Sequence, residues 1–194
     1  MKKEYVQKRI TLNDDATLPL DCFSWDGQNR VFSSRWDGLV IDFSDVDNCT
    51  VKVGDNCIIK VGNYCKIYAG SRCTITAGHH CKFDTFEKCT FDTSNFCTFE
   101  TDNSCNFKTG SSCNFITNWG CNFKTGSNCN FDTLYDRTFE TGDGCTFDTE
   151  YNCTFKTGEK CVVIRRDFYQ IIGLRAGQKI QLYGHEMPGH RILN

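Results

Sequence analysis

From Cys49 to Lys160 apolar and polar positions alternate with period two inside blocks of eight residues, and the blocks follow one another without insertion or deletion. Alternation of this kind predicts short strands with two unlike faces, and a fixed repeat predicts a solenoid. The consensus is Cys-x-Phe-x-Thr followed by three turn residues, as in Cys97-Thr98-Phe99-Glu100-Thr101 and Cys153-Thr154-Phe155-Lys156-Thr157. Cys, Phe and Thr form the inward face, while Thr or Asn and then a charged residue form the outward face. The central inward column runs Val51, Ile59, Ile67 and Ile75, then Phe from Phe83 to Phe155, then Val163. The last inward column changes in step, from Val or Ala to Thr, so the cross-section is expected to change near residue 80.

The residue after the Thr column sets the true period. One alternate set reads Gly62, Gly78, Ser94, Gly110, Gly126, Gly142 and Gly158; the other reads Gly54, Gly70, Phe86, Asp102, Asn118, Leu134 and Glu150. One turn is held to glycine, which suggests positive φ there, and the other varies. The coil is therefore sixteen residues long. The prediction is an all-β, two-sheet parallel β-solenoid (β-helix) of about seven coils between residues 49 and 160, capped at both ends. At roughly 4.8 Å per coil this array is about 34 Å tall. Phe should face Phe across the core, and Cys of one sheet should face Thr of the other. Neither arrangement is expected to bring two thiols together easily.

The flanks depart from the repeat. Residues 1–48 read as an N-terminal β cap, residues 49–160 as the solenoid and residues 161–194 as a C-terminal cap or oligomerisation segment. Trp25-Asp26-Gly27 and Trp36-Asp37-Gly38 are turn signals. Ile41 and Phe43 fall in the columns of the later Cys and Phe. Phe23, Trp25 and Trp36 suit the closing of an open solenoid end. At the other end, Arg165-Arg166 breaks the pattern, and Ile171-Ile172 and Lys179 to Tyr183 read as strands.

Fifteen cysteines suggest disulfides or metal at first sight. The count is odd, no CxxC pair occurs, and the repeat sets the spacing. Free buried thiols of a reducing compartment are expected, acting as small apolar residues, with no metal, no cofactor and no catalytic residues. A net charge of −2 and a pI near 6.1 give no basic field for nucleic acid. Met1 to Thr11 lacks the apolar run of a signal peptide, and no stretch is long enough to cross a membrane. The expected location is the cytoplasm or a virion.

Departures from the repeat single out candidates. The variable edge carries Phe86, Trp119, Leu134, Tyr135 and Tyr151, large apolar residues at turn tips, and these are the predicted partner-binding residues. The glycine edge is plainer apart from Tyr64, His79, His80 and Phe96. Arg137 replaces an inward Cys and is expected to snorkel out against Asp136 or Glu140. Asp132 and Asp148 should lie one strand apart, a spacing seen in paired-carboxylate glycosidases, although a solvated charge ladder explains them as well. His185-Glu186-Met187-Pro188-Gly189-His190 is not a helical HExxH, because Pro-Gly forbids the helix.

The units CTFKTG (Cys153–Gly158), CNFKTG (Cys105–Gly110 and Cys121–Gly126), DNC (Asp47 to Cys49) and GSNC (Gly126 to Cys129) resemble cysteine-rich octapeptide repeats of hypothetical proteins from bacteria and tailed phages. Some of these carry pentapeptide-repeat or tail-fibre labels. The resemblance covers about residues 49 to 161, carries no functional residues, and implies a phage or bacterial origin. The function expected is a non-catalytic structural or protein-interaction rod, a virion component or a host-factor binder. It would meet a protein partner through the variable edge or the caps, or a second copy of itself, and neither nucleic acid nor membrane. The alternatives are ice binding through outward Thr ladders, nucleic-acid mimicry, and a glycan-acting β-helix, which no nucleophile–base pair supports.

Overall fold

The computed structural model describes residues 1–12 and 16–193. It contains two eleven-stranded sheets built from alternate strands of the chain. The first includes Leu39–Phe43, Ile58–Val61, Thr74–Ala77, Thr90–Thr93, Asn106–Lys108, Asn122–Lys124, Thr138–Glu140 and Thr154–Lys156. The second includes Val31–Ser33, Thr50–Lys52, Lys66–Ala69, Lys82–Thr85, Thr98–Thr101, Asn114–Thr117, Asn130–Asp132, Thr146–Thr149 and Cys161–Arg165. These strands pair in parallel, and from Thr50 onward residues i and i+16 stand opposite, as in Phe99 with Phe115 and Phe91 with Phe107. The result is a β-solenoid of about eight turns with sixteen-residue coils, as the alternation of glycine predicts.

The core is a double ladder of rings. Phe99, Phe115 and Phe131 stack in one sheet with centroids 4.8 Å apart. Phe107 and Phe123 do so in the other at 4.9 Å. Rings of opposite sheets meet edge to face, Phe107 against Phe115 at 5.3 Å. Both are favoured ring geometries. Cysteine meets threonine at the corners, where Thr149 Oγ1 lies 3.1 Å from Cys153 Sγ. Outside, Asn122 donates to Asn106 Oδ1 at 3.1 Å and Asn130 to Asn114 Oδ1 at 3.0 Å, forming amide ladders.

Glycine proves necessary for a reason other than positive φ. The left-handed residue is the one just before each cysteine, on both edges alike: Tyr64, Arg72, His80, Lys88, Phe96 and Ser104 all have φ near +60°. The glycine edge is instead crowded. The residue after each glycine bears a side chain that accepts a hydrogen bond from the backbone N–H sixteen residues on. Ser111 N donates to Asn95 Oδ1, Ser127 N to Ser111 Oγ, Asp143 N to Ser127 Oγ and Glu159 N to Asp143 Oδ1. A Cβ on Gly110 would fall 1.9 Å from Asn95 Oδ1. The spine and the glycines form one device.

Two further expectations are corrected. Sulfurs do approach one another: Cys49 Sγ lies 3.3 Å from Cys65 Sγ, because in-register parallel pairing places identical side chains on adjacent rungs. The columns of Ile41 and Phe43 are also displaced by two residues. Ile41 pairs with Ile59 and Phe43 with Val61, since the turn at Ser44 to Asn48 is longer than the three-residue turns that follow.

Antiparallel strands close both ends. Ile10–Leu12 covers Leu39–Phe43, and Ser24–Asp26 forms a hairpin with Val31–Ser33. A five-residue helix, Lys3–Gln7, adds the buried Val6; it is too short to leave a periodic signature. Phe23 is buried and Trp25 packs edge-on against Phe43 at 6.1 Å. Trp36 is not cap core but 47% exposed. At the far end Gln170–Leu174 and Lys179–Leu182 pair antiparallel with the last coil. Arg165, in the inward Thr column opposite Thr149, is fully buried. It binds Asp167 through Nε and Nη2 at 2.8 and 2.9 Å and the carbonyls of Gly189 and Gly184 at 3.0 and 3.1 Å. A charge thus satisfied serves as the plug of the open core.

Candidate interaction surface

The variable edge joins the second sheet back to the first through turns that include Trp36-Asp37-Gly38, Phe86-Glu87-Lys88, Trp119 and Leu134-Tyr135-Asp136. The first of these turns share the spine, Asp55 N donating to Asp37 Oδ1 and Ser71 N to Asp55 Oδ1 over Gly54 and Gly70; from Phe86 on, glycine is absent after the inward column and the turns carry bulk. Phe86 is 60% exposed and Trp119 45%, whereas Leu134, Tyr135 and Tyr151 are half-buried. Tyr135 and Tyr151 stack at 4.9 Å, and Tyr151 meets His185 of the C-terminal segment edge-on at 5.3 Å. The five predicted residues therefore form two groups. Trp119, Tyr135 and Tyr151 occupy the same turn position on three successive coils, with Leu134 beside Tyr135; Phe86 stands nearer the N-terminal cap.

Phe86 borders an open groove of about 960 Å³ between the cap and the second sheet. Val53, Gly54, Ala69 and Gly70 line it together with Trp36, Tyr68, Cys22 and Phe23. Lys52 lies over the Tyr68 ring at 5.4 Å. Asp21, Arg35, Asp55 and Asp84 supply charge of both signs. The groove exists because the earliest coils have Gly or Ala where later coils have Thr and large turn residues. Sequence reasoning assigned Trp36 to the cap and passed over Tyr68. The signal was present: Tyr68 stands in the outward column between the charged Lys52 and Asp84.

No protein family, curated protein or solved structure matches the chain.

The other candidates resolve on geometry. Asp132 and Asp148 lie on adjacent strands, but Arg166 spans them, with Nη1 3.0 Å from Asp132 and Nε 2.9 Å from Asp148. One guanidinium thus sits between the two carboxylates. In the first sheet Lys108 pairs with Asp92 at 2.9 Å, and Glu140 takes Lys156 at 3.3 Å and Lys124 at 3.8 Å. Lys156 and Lys124 hold the Glu140 carboxyl below its usual range. The outer face of the first sheet is thus laced with opposite charges, whereas the second sheet's outward column carries Asp84, Glu100, Asp132 and Asp148. On the glycine edge Tyr64, His80 and Phe96 form an exposed stack of nearly parallel rings at 4.9 and 4.8 Å, which uses their ring faces on one another.

Arg137 does not snorkel. Its side chain is 1% exposed, inside the cysteine column of the first sheet, and Nη2 donates to the Thr117 carbonyl at 3.3 Å. The strand register overrides the residue: Thr138 and Phe139 are held in their columns, so position 137 must face inward.

Proposed function

We propose that the chain is a non-catalytic binding rod that engages a protein partner along its variable edge, anchored in the groove at Trp36, Tyr68 and Phe86. One observation carries this reading. Three exposed aromatic side chains border a concave site with small apolar residues at its base, while the outer face of the first sheet carries paired charges and amides. Aromatic anchors beside a concave apolar surface are the usual energetic centre of a protein interface. Trp119, Tyr135 and Tyr151 extend the contact along the same edge. A virion component or host-factor binder of a bacterium or tailed phage, kept in a reducing compartment with its cysteines as thiols, fits this role. No helix among the described residues is long and apolar enough to cross a membrane.

The test is affinity capture from the native host or virion with mass spectrometry, repeated with Trp36→Ser/Phe86→Ser and with Trp119→Ser/Tyr135→Ser. Loss of a captured protein from the variants, at unchanged melting temperature, supports the reading. Equal capture by wild type and both variants overturns it.

A further inference from the structure

The cysteines of the repeat donate their thiols to backbone carbonyls. Cys73 Sγ donates to the Gly54 and Ser71 carbonyls at 3.5 and 3.6 Å, Cys81 to those of Gly62 and His79 at 3.4 and 3.5 Å, and Cys89 to those of Gly70 and Glu87 at 3.3 and 3.6 Å. Cys49 differs. Among the described residues it is the repeat cysteine whose thiol turns instead to another sulfur, Cys65 Sγ at 3.3 Å. The cause is its place at the start of a column. The Thr50 N–H binds the Arg30 carbonyl of the cap hairpin at 2.9 Å, so a hairpin turn stands where later cysteines have the carbonyls of a preceding coil.

The backbone around this pair suits a covalent bond. Thr50 and Lys66, the next residues along, stand opposite each other on adjacent parallel strands. In-register rungs lie about 4.8 Å apart, inside the Cα separation of about 4.4–6.8 Å that disulfides span. Rotation of the two side chains closes the sulfur gap, with no shift of the strands. Both cysteines are buried, yet the chain above them is thin. Cys65 Sγ donates to the Val46 and Asn63 carbonyls at 3.4 and 3.3 Å. In the turn from Ser44 to Asn48 that covers it, every residue except the half-buried Val46 is exposed.

We infer that Cys49 and Cys65 form a selective oxidation site, closed to a disulfide by a small-molecule disulfide that local opening of the Ser44 to Asn48 turn admits. One cysteine gives up its thiol proton and attacks the reagent, which leaves a mixed disulfide and releases half of the reagent as a thiol. The second cysteine gives up its proton and displaces the other half. Both Sγ–H bonds and the reagent's S–S bond break, and one S–S bond forms in the protein. The reagent carries away two electrons and two protons as two thiols. The pair rests as thiols while its surroundings are reducing, and on oxidation it ties Thr50–Lys52 to Lys66–Ala69 beside the N-terminal cap.

The experiment treats the folded, reduced full-length chain with hydroxyethyl disulfide, alkylates the remaining thiols and maps disulfides by tandem mass spectrometry, for wild type, Cys49→Ala and Cys73→Ala. The expected result is a bond between Cys49 and Cys65 as the first one formed within the chain, with the loss of two thiols. It is reversed by dithiothreitol, retained in Cys73→Ala and absent from Cys49→Ala. A first bond between another pair, mixed disulfides that persist at Cys49 or Cys65, or no bond within the chain overturns the inference. Mapping by position keeps adducts of the half-buried Cys22 apart from the pair. The wild-type map alone decides the question should Cys49→Ala fail to fold.

Discussion

Asp143 Oδ1 accepts a hydrogen bond from the Glu159 N–H at 2.7 Å and occupies the space above Gly158, 1.9 Å from where a Cβ would lie. The same Cβ would meet Asp143 N at 2.8 Å and Gly142 C at 2.9 Å. Gly158→Ala should therefore destabilise by about 2 kcal/mol or more, since backbone as well as side chain must move. Gly120→Asn is the contrast. Gly120 has φ of +73° and nothing closer than 3.4 Å, and asparagine tolerates the left-handed region, so its stability should change by less than about 0.5 kcal/mol. Urea denaturation of the two variants separates crowding from φ as the reason for glycine.

Phe115 stacks on Phe99 and Phe131 and meets Phe107 and Phe123 edge to face. Phe115→Ala should cost about 3–5 kcal/mol. Phe115→Ile should cost clearly less, because Ile67 already pairs with Phe83 in the same column. Equal losses in the two variants would show that the ring stack, rather than filled volume, holds the core.

Asp167→Ala leaves the Arg165 guanidinium buried with carbonyls alone. Breaking such a pair costs about 3–5 kcal/mol. The loss should fall on the C-terminal end, so hydrogen exchange should accelerate in Gln170–Leu174 and Lys179–Leu182 while the central coils stay protected.

Burial is the chief cause that raises the Cys153 thiol from 9.0 to about 11. Its contribution is complete below the unfolded value and is lost as pH rises through about 11. In reduced buffer, stability should therefore fall between about pH 9 and 11, and Cys153→Ala should flatten that fall. Chemical denaturation at a series of pH values reads it.

The sequence by itself determined the solenoid. Strict period-two alternation specifies which side chains face inward, and a repeat of eight with glycine at alternate turns specifies sixteen residues per coil. Both are local properties of the chain, and both appear in the pairing of Phe99 with Phe115 and of Phe91 with Phe107. Phe86, Trp119, Leu134, Tyr135 and Tyr151 were legible as departures from the pattern. Their division into two groups, and the groove that adds Trp36 and Tyr68 to Phe86, were not, because these depend on where the cap folds back. Tertiary structure alone also decided the fate of the charges. Arg137 reads as a residue that should escape the core, yet parallel pairing on both sides holds its backbone in register and turns it inward. The glycine rule was visible in the sequence, but its cause was not. A glycine that makes room for a side chain fifteen residues away looks the same in one dimension as a glycine that supplies positive φ.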